Sequence, residues 1–578
     1  MLLSNPLKYR QSATALLALT LAASAAQAKD NDWLIDVAGE SGLDFRYQNG
    51  MRGEFYFPEI MGAGVGVLDY DGDGLLDIYL VQGGAIGPEI KDVSRGSGDR
   101  LFRNVSKRDS NGRLQLRFED VTEAAGLDAR GYGMGVAVAD IDNDGDDDLY
   151  VLNFGRNQLW QNQGNGKFKD ITEAAGVGDP RWSVSASFAD IDGDGLLDLY
   201  VANYVDFSFD RHKRCRTPGG GETDYCSPSA YQPLADRPYR NLGDGRFQDI
   251  SETLGIAAQA GHGLGVVALD VNRDQRVDFY VANDGSPNFL WINQGGGKFV
   301  DDAVLAGVAV NANGAAEAGM GVDAADFDRS GDEDFFVTHM RNESNTVYAG
   351  VGDGWFEDRT AASGLAASSL AFTGFGTAWF DLDNDGWLDL YIANGGVMRE
   401  AEPLPGENDF PYLQTDQLYL HNGRAGSAAR FSDASARAGQ ALKQRGVTRG
   451  AAFADFDNDG RIDILLGQIH GPVRLLHNRA APQAHWLGVA LVDAKRVLQT
   501  GAVVERIVKE AGPVIRRARR DGSYASANDP RLIFGLGADA EPQVLQVRWP
   551  DGVGERFSGL AVDRYHRLER GAGQKADQ

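Results

Sequence analysis

Residues 69–77 read DYDGDGLLD, with aspartates at positions 1, 3, 5 and 9, a glycine at position 6 and an apolar run on each side. Carboxylates about 4 Å apart repel by roughly 1 kcal/mol per pair in water and about 4 kcal/mol at an effective dielectric near 20, so a cation is expected between them. A tight loop that turns alternate side chains inward brings Asp69, Asp71 and Asp73 together, Gly74 permits the sharp turn, and Asp77 closes the far side. Six to eight oxygens at about 2.3 to 2.6 Å suit calcium, whereas magnesium keeps its waters and an octahedral shell. An EF-hand starts the same way but needs a glutamate at position 12 and flanking helices. Position 12 is Leu80, and the flanks GVGVLDY and LDIYLV are glycine-rich and β-branched. Such flanks read as strands, so the loop is expected to join two of them.

The motif recurs. Complete copies place Asp140, Asp142, Asp144 and Asp148; Asp190, Asp192, Asp194 and Asp198; Asp381, Asp383, Asp385 and Asp389; and Asp455, Asp457, Asp459 and Asp463. Two copies are degraded. One has Asp270, Asn272, Asp274 and Asp278 with Gln275 in place of glycine, the other Asp326, Asp328, Ser330 and Asp334. Seven copies spaced 50 to 80 residues apart, all with strand-like flanks, predict a mainly β chain folded as a seven-bladed propeller. Up to seven calcium ions are expected, five of them at complete loops.

Each copy sits in a longer unit. A glycine-rich strand such as GMGVAVAD leads into the loop, a second such as DLYVLN follows, a third ends in asparagine (LFRN, LWQN, FLWIN, LYLHN), and a fourth reads FEDVT, FKDIT or FQDIS. Six fourth strands lie downstream of the first loop, and none follows the seventh. The missing one is LIDVA at Leu34–Ala38, so the N-terminal segment is expected to supply the outer strand of the last blade and remove an exposed edge. Strand parity then puts all seven aspartate loops on one face. The inserts at residues 83–99, 204–237 and 395–416 fall on the other, where loops on a rigid scaffold collect binding residues. They carry Tyr204, Phe207, Phe209, Arg211, His212, Tyr225, Tyr231, Phe410 and Tyr412, which either meet a ligand or pack on one another.

At 578 residues the chain exceeds one ordinary domain, and 74 glycines beside 43% hydrophobic residues describe a turn-rich globular protein. Residues 1–28 hold Lys8 and Arg10, an apolar run from Ala13 to Ala23 and Ala26-Gln27-Ala28, the pattern of a secretory signal peptide. The run is shorter than a membrane anchor, so an exported chain, periplasmic, cell-surface or extracellular and monomeric, is expected from residue 29. The propeller is assigned to residues 29–480 and a small β-sandwich-like domain to 481–578. Losing Lys8 and Arg10 takes the formal charge from −27 to −29, which excludes phosphate-backbone recognition as a role. The basic cluster Arg516-Arg517-Ala518-Arg519-Arg520 is read as the solvated face of a strand. Cys215 and Cys226 are expected to form a disulfide in an oxidising compartment.

The segment FPEIMGAGVGVLDYDGDGLLDIYLVQG, the FxDxT strands and the DxDxDGxxD loops resemble the FG-GAP/VCBS repeats of integrin-type propellers and of cartilage acidic protein-like secreted proteins. The tail, HWLGVALVDAKR then DGSYASANDPRLIFGLG then LQVRWPDG, resembles the ASPIC/UnbV domain that follows such propellers, although LQTGAVVERIV departs from the usual glycine-rich segment. The resemblance implies a calcium-binding protein of adhesion or interaction and brings no assigned activity. The reading is therefore a non-catalytic scaffold for an unknown protein or glycan. The alternative is a carbohydrate-active lyase or hydrolase with its site at the channel mouth, where Tyr132, Trp182, His262, Glu317 and Thr373 precede the inner strands. Among these positions His262 in GHGLGVVALD matches Tyr132 in GYGMGVAVAD. No GxSxG, HExxH or Walker loop appears, and tryptophans without a period do not fit a quinone-dependent propeller.

Overall fold

The structure, a computed structural model, describes residues 32–90, 98–110, 114–217, 221–399, 410–508 and 512–576. The expected signal peptide lies outside the described residues, as do parts of the three inserts. Among the described residues no helix is long and apolar enough to cross a membrane.

The chain is mainly β. Seven antiparallel four-stranded sheets each take three or four strands in chain order. In the second repeat these are Gly133–Ala139, Asp148–Asn153, Gln158–Asn162 and Phe168–Asp170. The sheet of the seventh repeat has Thr448–Ala454, Asp463–Gln468 and Arg474–Asn478, and its fourth strand is Leu34–Asp36, paired through Leu34 with Asn478 and Asp36 with Leu476. First strands are buried along their whole length in the second, third and sixth repeats, and each adjoins the first strand of the next. Val65–Leu68 adjoins both Gly133–Ala139 and Thr448–Ala454, so the succession returns to its start. Aromatic side chains fill the space between neighbouring sheets: Tyr200 stacks on Phe279 at 4.5 Å and Tyr280 on Phe335 at 4.3 Å.

Third-strand asparagines bind neighbouring repeats together. Asn162 Nδ2 donates to the Tyr70 carbonyl at 2.8 Å, Asn241 to Ile141 at 2.7 Å, Asn293 to Ile191 at 3.0 Å and Asn478 to Leu382 at 2.8 Å. Asn104 does the same between the first and seventh repeats, donating to Phe456 at 3.0 Å. In the fifth and sixth repeats Gly350 and His421 hold this register.

From His485 onward two further sheets form. The strands Leu532–Gly537, His485–Val492 and Tyr565–Glu569 make a three-stranded sheet in which the last pair is parallel. Five strands from Val503–Arg506 to Gln574–Lys575 make the other. Leu487, Val489, Val504, Phe534, Leu545 and Trp549 from both sheets share one buried core.

The basic cluster is not a solvated face. Arg517 pairs with Glu333 at 2.6 Å, Arg520 with Asp147 at 2.6 Å and Arg519 with Asp323, all within the repeats. Acids brought near by the fold, not adjacent in sequence, compensate the guanidinium charges and let them leave water. Asn104 is buried, and its amide also reaches the Leu76 carbonyl. Replacing it with alanine strips two buried carbonyls of a donor, and Asn104→Ala is expected to lose about 2 kcal/mol in denaturant melts with the same fold by circular dichroism.

Candidate metal centres

Each loop is held by its own backbone. Asp69 at position 1 accepts from the amides of Asp73 at 3.1 Å and Gly74 at 2.9 Å. The same pair recurs at Asp140, Asp190, Asp270, Asp381 and Asp455. The aspartate at position 9 does more than its spacing disclosed. Asp77 Oδ2 accepts from the Tyr70 amide at 3.0 Å and Oδ1 from the Asn104 amide on the third strand at 2.7 Å. Every other repeat has the matching pair on Asp148, Asp198, Asp278, Asp334, Asp389 and Asp463. This carboxylate therefore fastens the loop to the sheet as well as facing its interior.

Position 3 is left over. The Oδ1 atoms of Asp71, Asp142 and Asp457, and that of Asp326 at position 1, are buried with no hydrogen-bond partner. Three carboxylate oxygens lie within 4.8 Å of one another in the groups Asp69, Asp71, Asp77; Asp140, Asp142, Asp148; Asp190, Asp192, Asp194; Asp326, Asp328, Asp334; and Asp381, Asp383, Asp385. The Ser330 loop thus gathers its acids as the complete loops do. Orphaned oxygens among all-oxygen donors fit a hard divalent cation. Burial pushes Asp77 up to about 8 and Asp198 and Asp278 up to about 7 against the pull of their backbone hydrogen bonds, and burial with repulsion from neighbouring carboxylates pushes Asp381 up to about 8 and Asp326 and Asp455 up to about 7.

Third-strand side chains also reach the loops. Arg103 contacts Asp71 at 2.7 Å and Asp73 at 3.0 Å, and Arg240 contacts Asp192 at 2.6 Å and Asp194 at 3.3 Å. In the Asp270 loop, Gln275 takes a left-handed φ of 67° where the other loops have glycine, Asn272 donates to Asp274 at 3.0 Å, and Arg276 also pairs with Asp274.

The loops are chained side by side through position 4. Asn143 donates to the Gly195 carbonyl at 3.0 Å, Arg329 to Gly386 at 2.7 Å, Asn384 to Gly460 at 3.0 Å, Asn458 to Gly74 at 3.3 Å, and Arg273 to Gly331. The two remaining position-4 residues, Gly72 and Gly193, have no side chain to give. Between the third and fourth loops a cavity of about 620 Å³ opens, lined by Asp192, Arg240, Gln275, Arg548 and Trp549 among others.

One segment of the C-terminal unit, residues 519–529, reaches all seven first strands. Its hydrogen bonds run to Val65 and Val67, Val136, Ser185, Ala268, Val322, Thr377, Ala451 and Phe453. Tyr524 lies edge-on to Phe375 at 4.9 Å, and its hydroxyl donates to the Met61 carbonyl at 2.8 Å. Gly64 is required here, since a Cβ would lie 2.2 Å from the Ala525 oxygen.

The insert side is packed as well. Tyr204, Phe207, Tyr225, Tyr231 and Tyr412 are buried, joined by Phe57 and Trp182. Tyr225 donates to Glu59 at 3.0 Å, and burial raises that carboxyl to about 7. Arg449 is fully buried, stacked on Phe375 at 3.8 Å and donating to the carbonyls of Ile60, Gly395, Gly396 and Thr448. Tyr132, Trp182, His262 and Thr373 are buried in this layer, and Glu317 is half-buried beside Thr346. His262 Nδ1 meets the Ser286 hydroxyl at 3.1 Å, and burial lowers its pKa. Cys215 and Cys226 form a disulfide.

Models of the FG-GAP-like repeat match residues 69–151, 140–201, 270–337 and 326–392, and that of ASPIC and UnbV matches 495–575. The chain carries FG-GAP repeats followed by an ASPIC/UnbV domain. This FG-GAP protein is 25% identical over 532 residues to cartilage acidic protein 1 of Mus musculus, covering 86% of this chain and 71% of that one. The Homo sapiens protein of the same name is also 25% identical over 532 residues, covering 86% and 70%. Among solved structures, an Agrocybe aegerita lectin that recognises non-reducing terminal N-acetylglucosamine aligns with TM-score 0.35 and 17% identity over 64% of this chain and 79% of that one. Rhamnogalacturonan lyase YesW aligns with TM-score 0.34 and 15% identity over 72% and 71%.

Gly72 has a φ of 69°, open space at its Cβ position and, as asparagine, the same side chain that links other loops. Gly72→Asn is expected to add about 0.5 to 1 kcal/mol, read as a higher melting temperature. The raised carboxyls set a pH dependence. Their folded pKa values exceed the ordinary value of 3.8, so the cation-free fold holds protons that the unfolded chain has released. Stability of metal-stripped protein therefore falls as pH rises from about 4 to about 8, and its melting temperature is expected to be higher at pH 5 than at pH 8. A cation held by these side chains needs them deprotonated, so any gain in melting temperature on adding calcium is expected to grow over the same interval.

Proposed function

We propose that the protein is an exported calcium-binding propeller of seven blades, closed by Leu34–Asp36, that works as a non-catalytic interaction scaffold. The observation that carries the calcium reading is the set of buried position-3 oxygens with no partner: those of Asp71 and Asp142, whose carboxylates gather within 4.8 Å of two others, and that of Asp457, which is repelled by Asp463, Asp459 and Asp455. Calcium supplies the charge that lets these acids share one loop. The ligands are the position-1, -3, -5 and -9 side chains, with Asn272 and Ser330 in the degraded loops. In this reading residues 1–28 are the export signal, 29–480 the propeller and 481–578 the capping domain.

The absence of an assigned activity in the family resemblance and the burial of Tyr132, Trp182, His262 and Thr373 support a binding role over a channel-mouth enzyme. The partner surface is the insert side. Its aromatic residues are mostly spent on packing, and what it presents is the disulfide-closed loop, with Lys213 and Arg216 exposed, Arg211 and Arg214 exposed while paired with Asp206 and Glu54, and Phe209 half-buried. On a chain of formal charge −27, this patch selects an acidic glycan or protein.

Extracellular calcium modules bind at about 10⁻⁴ to 10⁻³ M, and a 0.1 mM site in about 2 mM calcium stabilises by roughly 1.8 kcal/mol per ion. Residues 29–578 are expected to melt far higher with calcium than after chelation, and magnesium should restore little of the difference. An unchanged melting temperature would reject the calcium reading.

A further inference from the structure

The aspartate loops differ in how the C-terminal domain treats them. At the seventh, Tyr565 donates its hydroxyl to Asp455 Oδ2 at 2.8 Å, a carboxylate that the calcium reading makes a ligand. Arg531 donates to the Asp455 carbonyl at 2.9 Å and to Asn458 Oδ1 at 2.6 Å while lying over the Tyr565 ring. The Trp486 ring covers Gly460 so closely that a Cβ there would sit 1.9 Å from it. At the sixth loop, the Gly537 amide donates to the Asn384 carbonyl at 2.7 Å, and a Cβ on Gly535 would fall 2.0 Å from Asp381 Oδ2. Asp381, Asp389, Asp455, Asp457 and Asp463 are all buried, and of the carboxylates in these two loops only Asp385, at the rim of the sixth, is exposed. Asp457 is only 7% exposed, and its Oδ1, without a partner, shares the loop with these acids.

The first and third loops are the opposite case. Asp73, Asp192 and Asp194 are exposed, no Cβ added at Gly72, Gly74, Gly193 or Gly195 would touch anything, and a solvent-facing arginine spans two carboxylates of each. A cation leaving such a loop meets water at once, and the guanidinium takes over part of its charge compensation. A cation leaving the sixth or seventh loop must first displace the strand-end at Gly535–Gly537 or the Trp486, Arg531 and Tyr565 cluster. Those groups are fixed to the domain that inserts residues 519–529 among the first strands.

We propose that the protein holds two kinds of calcium: ions at the sixth and seventh loops, sealed beneath the C-terminal domain and exchanging slowly, and ions at the first and third loops, open and exchanging freely. This rests on the calcium reading above. The sealed ions are part of the assembled fold, installed before or as the C-terminal domain docks. The open ions answer to the calcium concentration outside. Occupancy and docking are linked at the sealed loops, so each favours the other.

The test uses the full mature chain loaded with calcium-45. After rapid mixing with excess chelator, release is expected in two phases separated by at least 100-fold in rate, with two or more ions in the slow phase. Trp486→Ala and Tyr565→Phe should each speed the slow phase at least fivefold and leave the fast phase alone. Arg103→Gln should alter only the fast phase, and Asp457→Asn should remove one slow ion. Release of every ion in one fast phase, or slow release unmoved by Trp486→Ala and Tyr565→Phe in protein with an intact circular dichroism spectrum, would overturn the proposal. Loaded protein that retains no calcium at equilibrium would instead reject the calcium reading on which it stands.

Discussion

Seven strands that converge on one axis present inward backbone groups that neighbouring sheets leave unpaired, and a buried amide or carbonyl without a partner costs about 1 to 3 kcal/mol. Residues 519–529 meet that demand. Their backbone bonds to Val65, Val67, Val136 and Val322, and their side chains to Ala268, Thr377, Ala451 and Phe453. Ser523 and Ala525 adopt left-handed φ values of 64° and 53° to turn successive groups outward in different directions. Such conformations cost of order 1 kcal/mol each and persist only where the surroundings fix them. The C-terminal domain is in this sense the hub of the repeats, and its own two sheets are the mount that holds the hub in place.

The same economy governs the rim. A position-9 aspartate that accepts from two backbone amides is both a fastener and a wall of the loop, so its charge is useful to the fold before any ion arrives. The carboxylates at positions 1 and 5 are also committed to turning the chain. Position 3 carries the fewest of these bonds, and in three loops, at Asp71, Asp142 and Asp457, one of its oxygens is left without a partner.

The loops, the four strands per repeat and the outer strand at Leu34–Asp36 were legible because each is a local pattern repeated until it could be counted. The arginine cluster was not. Its partners Asp147, Asp323 and Glu333 lie 184 to 373 residues away in sequence, and no window of composition announces them. The insert aromatics posed a choice that sequence left open, since Tyr204 and Tyr225 look the same whether they meet a ligand or one another; the structure packs them together. Nor did the spacing reveal the second task of Asp77 and its counterparts, because the amides they bind belong to third strands 14 to 43 residues further on.

The position-4 chain gives the ring an uneven stiffness. Five links are present and two steps lack one; at Gly72 the first and second loops are still tied by the Asp69 amide, which donates to Asp147 at 3.3 Å, while the step from the third loop to the fourth, at Gly193, has no such bond among the described residues. It is also at this step that the 620 Å³ cavity lies, bordered by the loop whose glycine has become Gln275. A strap fastened elsewhere and undone at one buckle yields at the buckle. Strain on the ring therefore finds its least resistance there, as a widening of that one cleft.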